Sequence, residues 1–343
     1  MGGVASFKWR SLKISANAVV HRFSQALQKS DKPYDLYGIE GKEWGNASID
    51  YSWTHKNKHL FGELAIDRIG NKAWLSGLMI SLDPKVDAAL LYRNIQPGYQ
   101  TLWGNAFTEN VLPVNEKGLY MGLSVRPVNN WRLDAYLDIY QFPWLKYGID
   151  APSIGKDFLL QATYQPNKQT ALYVRYKAED KAKNNSTNDV LHQLTAFPKE
   201  SFRFHLVYKL SAAFTLKSRI ELLEYAKDQK AYEEGFLMYL QGEYSMTARW
   251  KGNMRLQFFE TGGYNSRVYA YESDVLYGYS IPSFFDKGFR YYLNINFDLS
   301  KKWSVWGRWA QTLYKEKKTI GSGLDLINGN SRAEYKLQTM FLF

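Results

Sequence analysis

The chain has 343 residues, with 44 Lys+Arg against 33 Asp+Glu for a formal charge of +11, 45% hydrophobic and 16% aromatic content, and no Cys. This composition excludes a disordered chain, and the lack of Cys excludes a disulfide scaffold, a zinc–thiolate site and a Cys nucleophile. No window holds the roughly 18 uninterrupted apolar residues that a transmembrane helix requires, so a helical membrane protein is excluded as well.

Many aromatics, few Cys and modest hydropathy occur together in the transmembrane β-barrel. The opening residues, Met1 to Val20, carry no basic segment followed by an apolar run and a small-residue cleavage site. Alternation has already begun by Phe7 and Trp9. Two readings follow, a cytosolic protein or the mature or truncated portion of an exported one. The second is favoured, with residues 1–343 forming a single barrel domain.

Period two runs along the chain. Ala47, Ile49, Tyr51 and Trp53 oppose Ser48, Asp50 and Ser52. Trp131, Leu133, Ala135, Leu137 and Ile139 oppose Arg132, Asp134, Tyr136 and Asp138. Thr170, Leu172, Val174 and Tyr176 oppose Arg175 and Lys177, and Phe202, Phe204, Leu206 and Tyr208 oppose Arg203, His205 and Lys209. Phe236, Met238, Leu240 and Tyr244 oppose Gln241 and Glu243. The clearest segment is Gly288–Ser300, where Phe289, Tyr291, Leu293, Ile295, Phe297 and Leu299 share one face, while Arg290, Tyr292, Asn294, Asn296 and Asp298 share the other. Successive side chains of a strand point to opposite faces, so each segment has an apolar and a polar side.

Connections alternate in length. Short turns are expected at Asn57-Lys58, Asp83-Pro84, Val128–Asn130, Pro166–Lys168 and Ser300–Lys302. Longer loops are expected at Ser24–Gly45, Gln96–Glu116, Gln141–Gly155, Ala178–Lys199 and Lys315–Asn330. Short turns at one end and long loops at the other are the outer-membrane barrel pattern. A soluble sandwich would alternate too, but it would not gather aromatics such as Trp131, Tyr176, Tyr208, Tyr244 and Trp303 at strand ends, as interfacial girdles do. The expected fold is therefore an all-β, antiparallel, up-and-down transmembrane barrel of about 16–18 strands in the bacterial outer membrane. Strand parity breaks somewhere in Thr247–Lys287. If strands before Met1 are needed for closure, these residues alone would leave an edge that lipid does not tolerate.

The last strand places Tyr335, Leu337, Thr339, Phe341 and Phe343 on one face, against Glu334, Lys336 and Gln338. The terminal aromatics Phe341 and Phe343 resemble the signal read by the barrel-assembly machinery of Gram-negative outer membranes. The runs Thr319–Asp325 and Ile327–Asn330, with Arg267–Glu272 and Tyr279–Pro282, resemble the ends of a family of Bacteroidota outer-membrane proteins. Members of that family carry a signal peptide and an N-terminal helix-hairpin-helix segment before the barrel. Neither is found here, so the resemblance covers the barrel part, best over Gly263–Phe343. It implies an outer-membrane barrel of poorly understood function. Nucleic-acid contact would belong to the segment not found here and gains no support from these residues.

Candidate chemistry is sparse. Among His21, His55, His59, His192 and His205, the pair His55 and His59 brackets a turn, and two imidazoles make a weak metal site. Ser218, in sequence range of His205, falls on the opposite face, so no nucleophile–base pair forms. Gly321-Ser322-Gly323 lacks the Lys and helix of a phosphate loop. The basic loops Lys177–Lys183 and Lys315–Lys318 read as solvated charge. No catalytic residue, metal or cofactor is expected.

What remains is the charge on polar faces: Arg132, Arg175, Arg203, Arg219, Arg255, Arg290 and Arg308, interleaved with Asp134, Asp138, Glu221, Glu243, Asp298 and Glu334. A charged ring in a pore sets ion selectivity, whereas cross-strand pairing of the same charges would merely fill the interior. Three functions follow. One is a porin- or transport-like barrel, and another is a non-conducting accessory barrel that engages an envelope protein through its loops. The third, a lipid-acting barrel enzyme, has little weight. Expected partners are the bilayer with its lipopolysaccharide and the assembly machinery.

Overall fold

A computed structural model describes residues 1–343 except 185–193, 227–230 and 248. The strands in chain order begin with β1 (Gly2–Trp9), β2 (Leu12–Leu27), β3 (Gly41–His55), β4 (Lys58–Asp67), β5 (Lys72–Asp83) and β6 (Val86–Ile95). Next come β7 (Glu116–Val125), β8 (Trp131–Phe142), β9 (Ser153–Tyr164), β10 (Thr170–Asn184), β11 (Leu194–Lys209) and β12 (Phe214–Ala226). β13 (Tyr232–Ser245), β14 (Trp250–Thr261), the short β15 (Val268–Tyr269) and β16 (Ser283–Phe284), β17 (Lys287–Asp298) and β18 (Trp303–Tyr314) follow. The short β19 (Thr319–Ile320) and β20 (Ile327–Asn328) precede the last strand, β21 (Ser331–Phe341). Seventeen of these form one sheet, and the four short strands make two separate pairs. The fold is all-β, antiparallel and up-and-down, of the outer-membrane barrel type, and the 17 sheet strands among the described residues fall within the expected 16–18. Among the described residues no helix is long and apolar enough to cross a membrane.

The chain divides into two compact units. The first holds residues 1–127, 132–160 and 178–198, and the second holds 128–131, 161–177 and 199–343. In the first, β1 to β7 pair with their chain neighbours in antiparallel register, from Trp9↔Leu12 at the first turn to Ile95↔Glu116. In the second, β11, β12, β13, β14, β17, β18 and β21 do the same.

Polarity is inverted relative to a soluble sheet in both units. In the first, Ile49, Leu64, Leu90, Leu133 and Ile154 are exposed, whereas Arg93, Glu116 and Asp138 are buried. In the second, Leu222, Leu240, Leu256, Leu293 and Trp309 are exposed, whereas Arg219, Arg255, Arg290 and Arg308 are buried. Leaving a large apolar side chain in water forgoes roughly 1.5–3 kcal/mol of burial. Repeated over every strand, that sum is far beyond the net stability of a domain. Hydrocarbon around these faces removes the conflict.

The turns match the expected alternation of length. β7–β8 and β9–β10 close over residues 126–130 and 165–169. The expected loop Ala178–Lys199 is shorter than its composition suggests, because β10 runs on to Asn184 and β11 starts at Leu194. Its middle, including His192, lies outside the described residues. The parity problem in Thr247–Lys287 also resolves. β14 is a full strand, but residues 262–286 form a narrow hairpin rather than a sheet strand, pairing Val268↔Phe284, Tyr269↔Ser283 and Glu272↔Ser280. Its alternation of buried Val268, Ala270 and Glu272 with exposed Tyr269 and Tyr271 imitates a membrane strand in sequence.

Candidate functional site

The second unit gathers a cluster of cations on its polar face. Ladder register aligns His205, Arg219, Tyr239, Gln257, Arg290 and Thr312 in one cross-strand row. A neighbouring row holds Lys217, Gln241, Arg255, Tyr292, Ala310 and Glu334. A third runs through Glu243, Asn253, Asn294, Arg308 and Lys336. Arginines far apart in sequence therefore become neighbours on one surface.

The 262–286 hairpin lies on these rows. Arg219 donates to the Tyr269 carbonyl at 2.9 Å, Arg255 to the Tyr271 carbonyl at 2.7 Å, and Arg308 to the Ser273 carbonyl. In extended backbone, alternate carbonyls point the same way, so this one segment presents three acceptors to three guanidiniums. Two of its three acidic side chains, Glu272 and Asp274, complete the contact. Arg290 forks onto Glu272 at 2.7 and 2.9 Å, and Arg308 reaches the same carboxylate at 2.5 Å. Asp274 accepts from Lys336 at 2.5 Å, with Arg308 at 3.9 Å. Burial alone would raise the Asp274 carboxyl, but Lys336, the Val275 N–H and Arg308 together hold it below its ordinary 3.8.

Charge in this cluster does not balance. Arg203 and Arg219 share Glu221. Arg255, 3% exposed, has no carboxylate partner among the described residues. Its guanidinium sits instead on the Gln241 amide oxygen and 3.9 Å over the Tyr239 ring. Among the described residues, Arg203, Arg219, Arg255, Arg290, Arg308 and Lys336 thus share Glu221, Glu272, Asp274 and Glu334 as carboxylate partners. Two of those four carboxylates belong to the hairpin.

The first unit pins its own long loop differently. Arg93 is fully buried, bonded by Nε to Glu116 at 2.5 Å and by both terminal nitrogens to Asp138 at 2.9 and 3.0 Å. Glu116 also accepts the backbone N–H groups of Glu109 and Asn110 at 3.0 Å, which fastens the 96–115 loop to the polar face. Nearer the start of that loop, Trp44 and Asn46 both donate to the Gln100 carbonyl. Gly118, opposite Arg93 in the ladder, leaves room for the guanidinium, since a Cβ there would lie 2.5 Å from Arg93 Cζ.

Lys146, in the next loop of this unit, lies 3.3 Å over the Phe142 ring. Burial brings its ammonium down to about 8. Glu116 and Glu109 oppose that shift, and Lys181 adds to it. We expect the ¹³C-dimethylated Lys146 amine to titrate near 8 by NMR rather than at 10.5. Because the unfolded chain then binds more protons between those values, this group adds stability as pH rises through the window. A midpoint at the ordinary lysine value would contradict the burial of Lys146.

The sequence-derived candidates separate into three groups. Arg203, Arg219, Arg255, Arg290, Arg308 and Glu334 share the second unit's cluster, and Glu243 borders it through Gln241 and Lys217. Asp138 belongs to the buried triad of the first unit. Arg132 and Asp134 pair with each other at an exposed strand end, Arg175 bonds Gln161, and Asp298 bonds Ser304 beside a turn. Ser218 pairs with Leu206 and His205 with Arg219, on opposite faces. Phe341 and Phe343 are exposed on the apolar side. His59 bonds Thr54 and His55 stacks on Trp53, and among the described residues no group of His, Asp or Glu is arranged to hold a metal.

Sequence reasoning missed Arg93, Glu116, Glu272 and Asp274. Arg93 shares its face with Leu91 and Ile95, which hides the polar side of β6. Glu272 and Asp274 are two acidic residues close together in a tyrosine-rich loop, a signal visible in the sequence but with no partner to go with it.

Strand architecture and inverted polarity define the class as an outer-membrane-type β-barrel protein. No protein-family model matches the chain, and no curated protein matches it by sequence. Among solved structures it is similar to the outer-membrane OmpT of Vibrio cholerae (8% identity, 98% of this chain and 99% of that one, TM-score 0.45). It is also similar to the copper transporter OprC (11%, 88% and 56%, TM-score 0.49) and to OccK5 of Pseudomonas aeruginosa (13%, 76% and 76%, TM-score 0.43). At these identities and scores the likenesses assign this chain no function.

Proposed function

We propose that this protein is an integral barrel of the bacterial outer membrane that passes small anionic solutes along its polar face. The observation that supports this reading is the cluster of buried guanidiniums, of which Arg255 has no carboxylate partner among the described residues. Fixed cations in a low-dielectric setting attract anions far more strongly than the same charges do in water. In each unit the polar face is partly covered by the chain's own loop, so the conformation described here is a restricted one.

Reconstitution into a planar bilayer under a KCl gradient tests the proposal. The expected result is small, discrete conductance steps with a reversal potential on the anion-selective side. A cation-selective potential would overturn it. A folded but silent barrel would favour a second reading, an accessory barrel that meets an envelope partner through its loops. The extensive pairing of charges in the first unit supports that alternative.

A further inference from the structure

We propose that Arg290, Arg308 and Lys336 form a binding site for a compact dicarboxylate, filled in this conformation by Glu272 and Asp274 of the 262–286 hairpin. This inference rests on the anion-passage reading and gives it a substrate class and a gate.

Chemistry supports the site. Arg290 presents its planar fork to Glu272 through two parallel bonds, the geometry that guanidinium offers to carboxylates. Arg308 touches both acidic groups, Lys336 holds the second, and neither arginine is more than 5% exposed. The Arg308 Nε, also buried, has no hydrogen-bond partner among the described residues.

The hairpin is attached in two unlike ways. Its base is apolar and close-packed: Phe284 lies 5.3 Å from Phe259, Val268 is buried, and the Ser266 carbonyl sits against Gly235. Beyond Ala270 the attachment to the sheet is polar, through carbonyls and two carboxylates, and Tyr271, Tyr277 and Tyr279 are exposed. An anion can exchange for polar contacts of this kind, but it cannot replace packed rings.

Lifting the tip without replacement would leave Arg290, Arg308 and Lys336 with Glu334 as their one carboxylate neighbour among the described residues, and uncompensated buried charge is strongly unfavourable. Tip release is therefore linked to entry of an anion of matching charge. By the same linkage, a ligand that prefers the open state shifts the population toward it.

Because the chain has no Cys, Tyr277→Cys gives a single site for a spin label on the exposed tip. Succinate at constant ionic strength is expected to mobilise that label, with acetate or chloride far weaker. Glu272→Gln, and independently Asp274→Asn, are expected to mobilise it about tenfold or more without ligand, as breaking a buried pair would. Equal effects of succinate and chloride would reduce the phenomenon to salt screening and overturn the site, as would an immobile label in both folded variants. A mobile label in a silent barrel would keep the site and sink the passage reading. An anion-selective barrel whose label ignores succinate would do the reverse.

Discussion

Replacing Arg93 by alanine is expected to destabilise the first unit by about 3–5 kcal/mol, the usual loss when one partner of a buried ion pair is removed. The guanidinium is fully buried and holds Glu116 and Asp138 through three bonds. Without it, two carboxylates stay on the polar face of β7 and β8 with no cation between them. Their alternatives are protonation or release of the 96–115 loop, whose backbone bonds to Glu116 depend on its charge. The measurement is urea unfolding of the folded barrel in detergent, followed by loss of heat modifiability. Glu116→Gln together with Asp138→Asn on the alanine background should recover much of the loss, since neutral amides remove the unpaired charge. Failure of that rescue would mean that packing, not charge, accounts for the effect. Gly118→Ala is a milder test, because it pushes a Cβ into the same guanidinium.

Gly235→Ala should open the second unit's polar face while leaving the strands intact. A Cβ at this position would lie 2.3 Å from the Ser266 carbonyl oxygen, which is backbone and cannot rotate away. Overpacking of this kind costs about 1–3 kcal/mol, and here the hairpin base can yield more easily than β13, which is paired on both edges. The expected result is a larger conductance step with little change in unfolding midpoint. Gly307→Ala serves as the control, since nothing lies within 4 Å of its added carbon. Equal behaviour of the two variants would refute the idea that the hairpin base is set by the missing side chain at Gly235.

Acid should act on the same hairpin. The Asp274 carboxyl is held below its ordinary 3.8, so its contribution to docking is present above that value and fades as pH falls through the lower one. The Tyr277→Cys label should accordingly loosen only in strongly acidic buffer, a result that mild acidification near neutrality should not imitate.

The class of fold was legible because period two is a local property. A segment such as Gly288–Ser300 needs no partner to reveal that Phe289 and Leu293 face one way and Arg290 and Asn294 the other. Facing is determined by backbone pleat alone, which is why the sequence by itself separates Ser218 from His205. The polar arginines could be named for the same reason.

Which of those arginines meet could not be read, because register is a long-range quantity. Arg219, Arg255, Arg290 and Arg308 become one surface only when β12, β13, β14, β17 and β18 slide into a particular alignment, and a slip of one residue would reverse every face. The hairpin was harder still. Residues 262–286 alternate like a sheet strand, and only packing against Gly235 and Phe259 turns them onto the polar face instead. The amino-acid order by itself determined an all-β chain with an apolar side for lipid and a charged side away from it. Tertiary structure alone decided that Glu272 and Asp274 occupy the arginine rows, because a buried charge is stable only beside the partner that the fold brings to it.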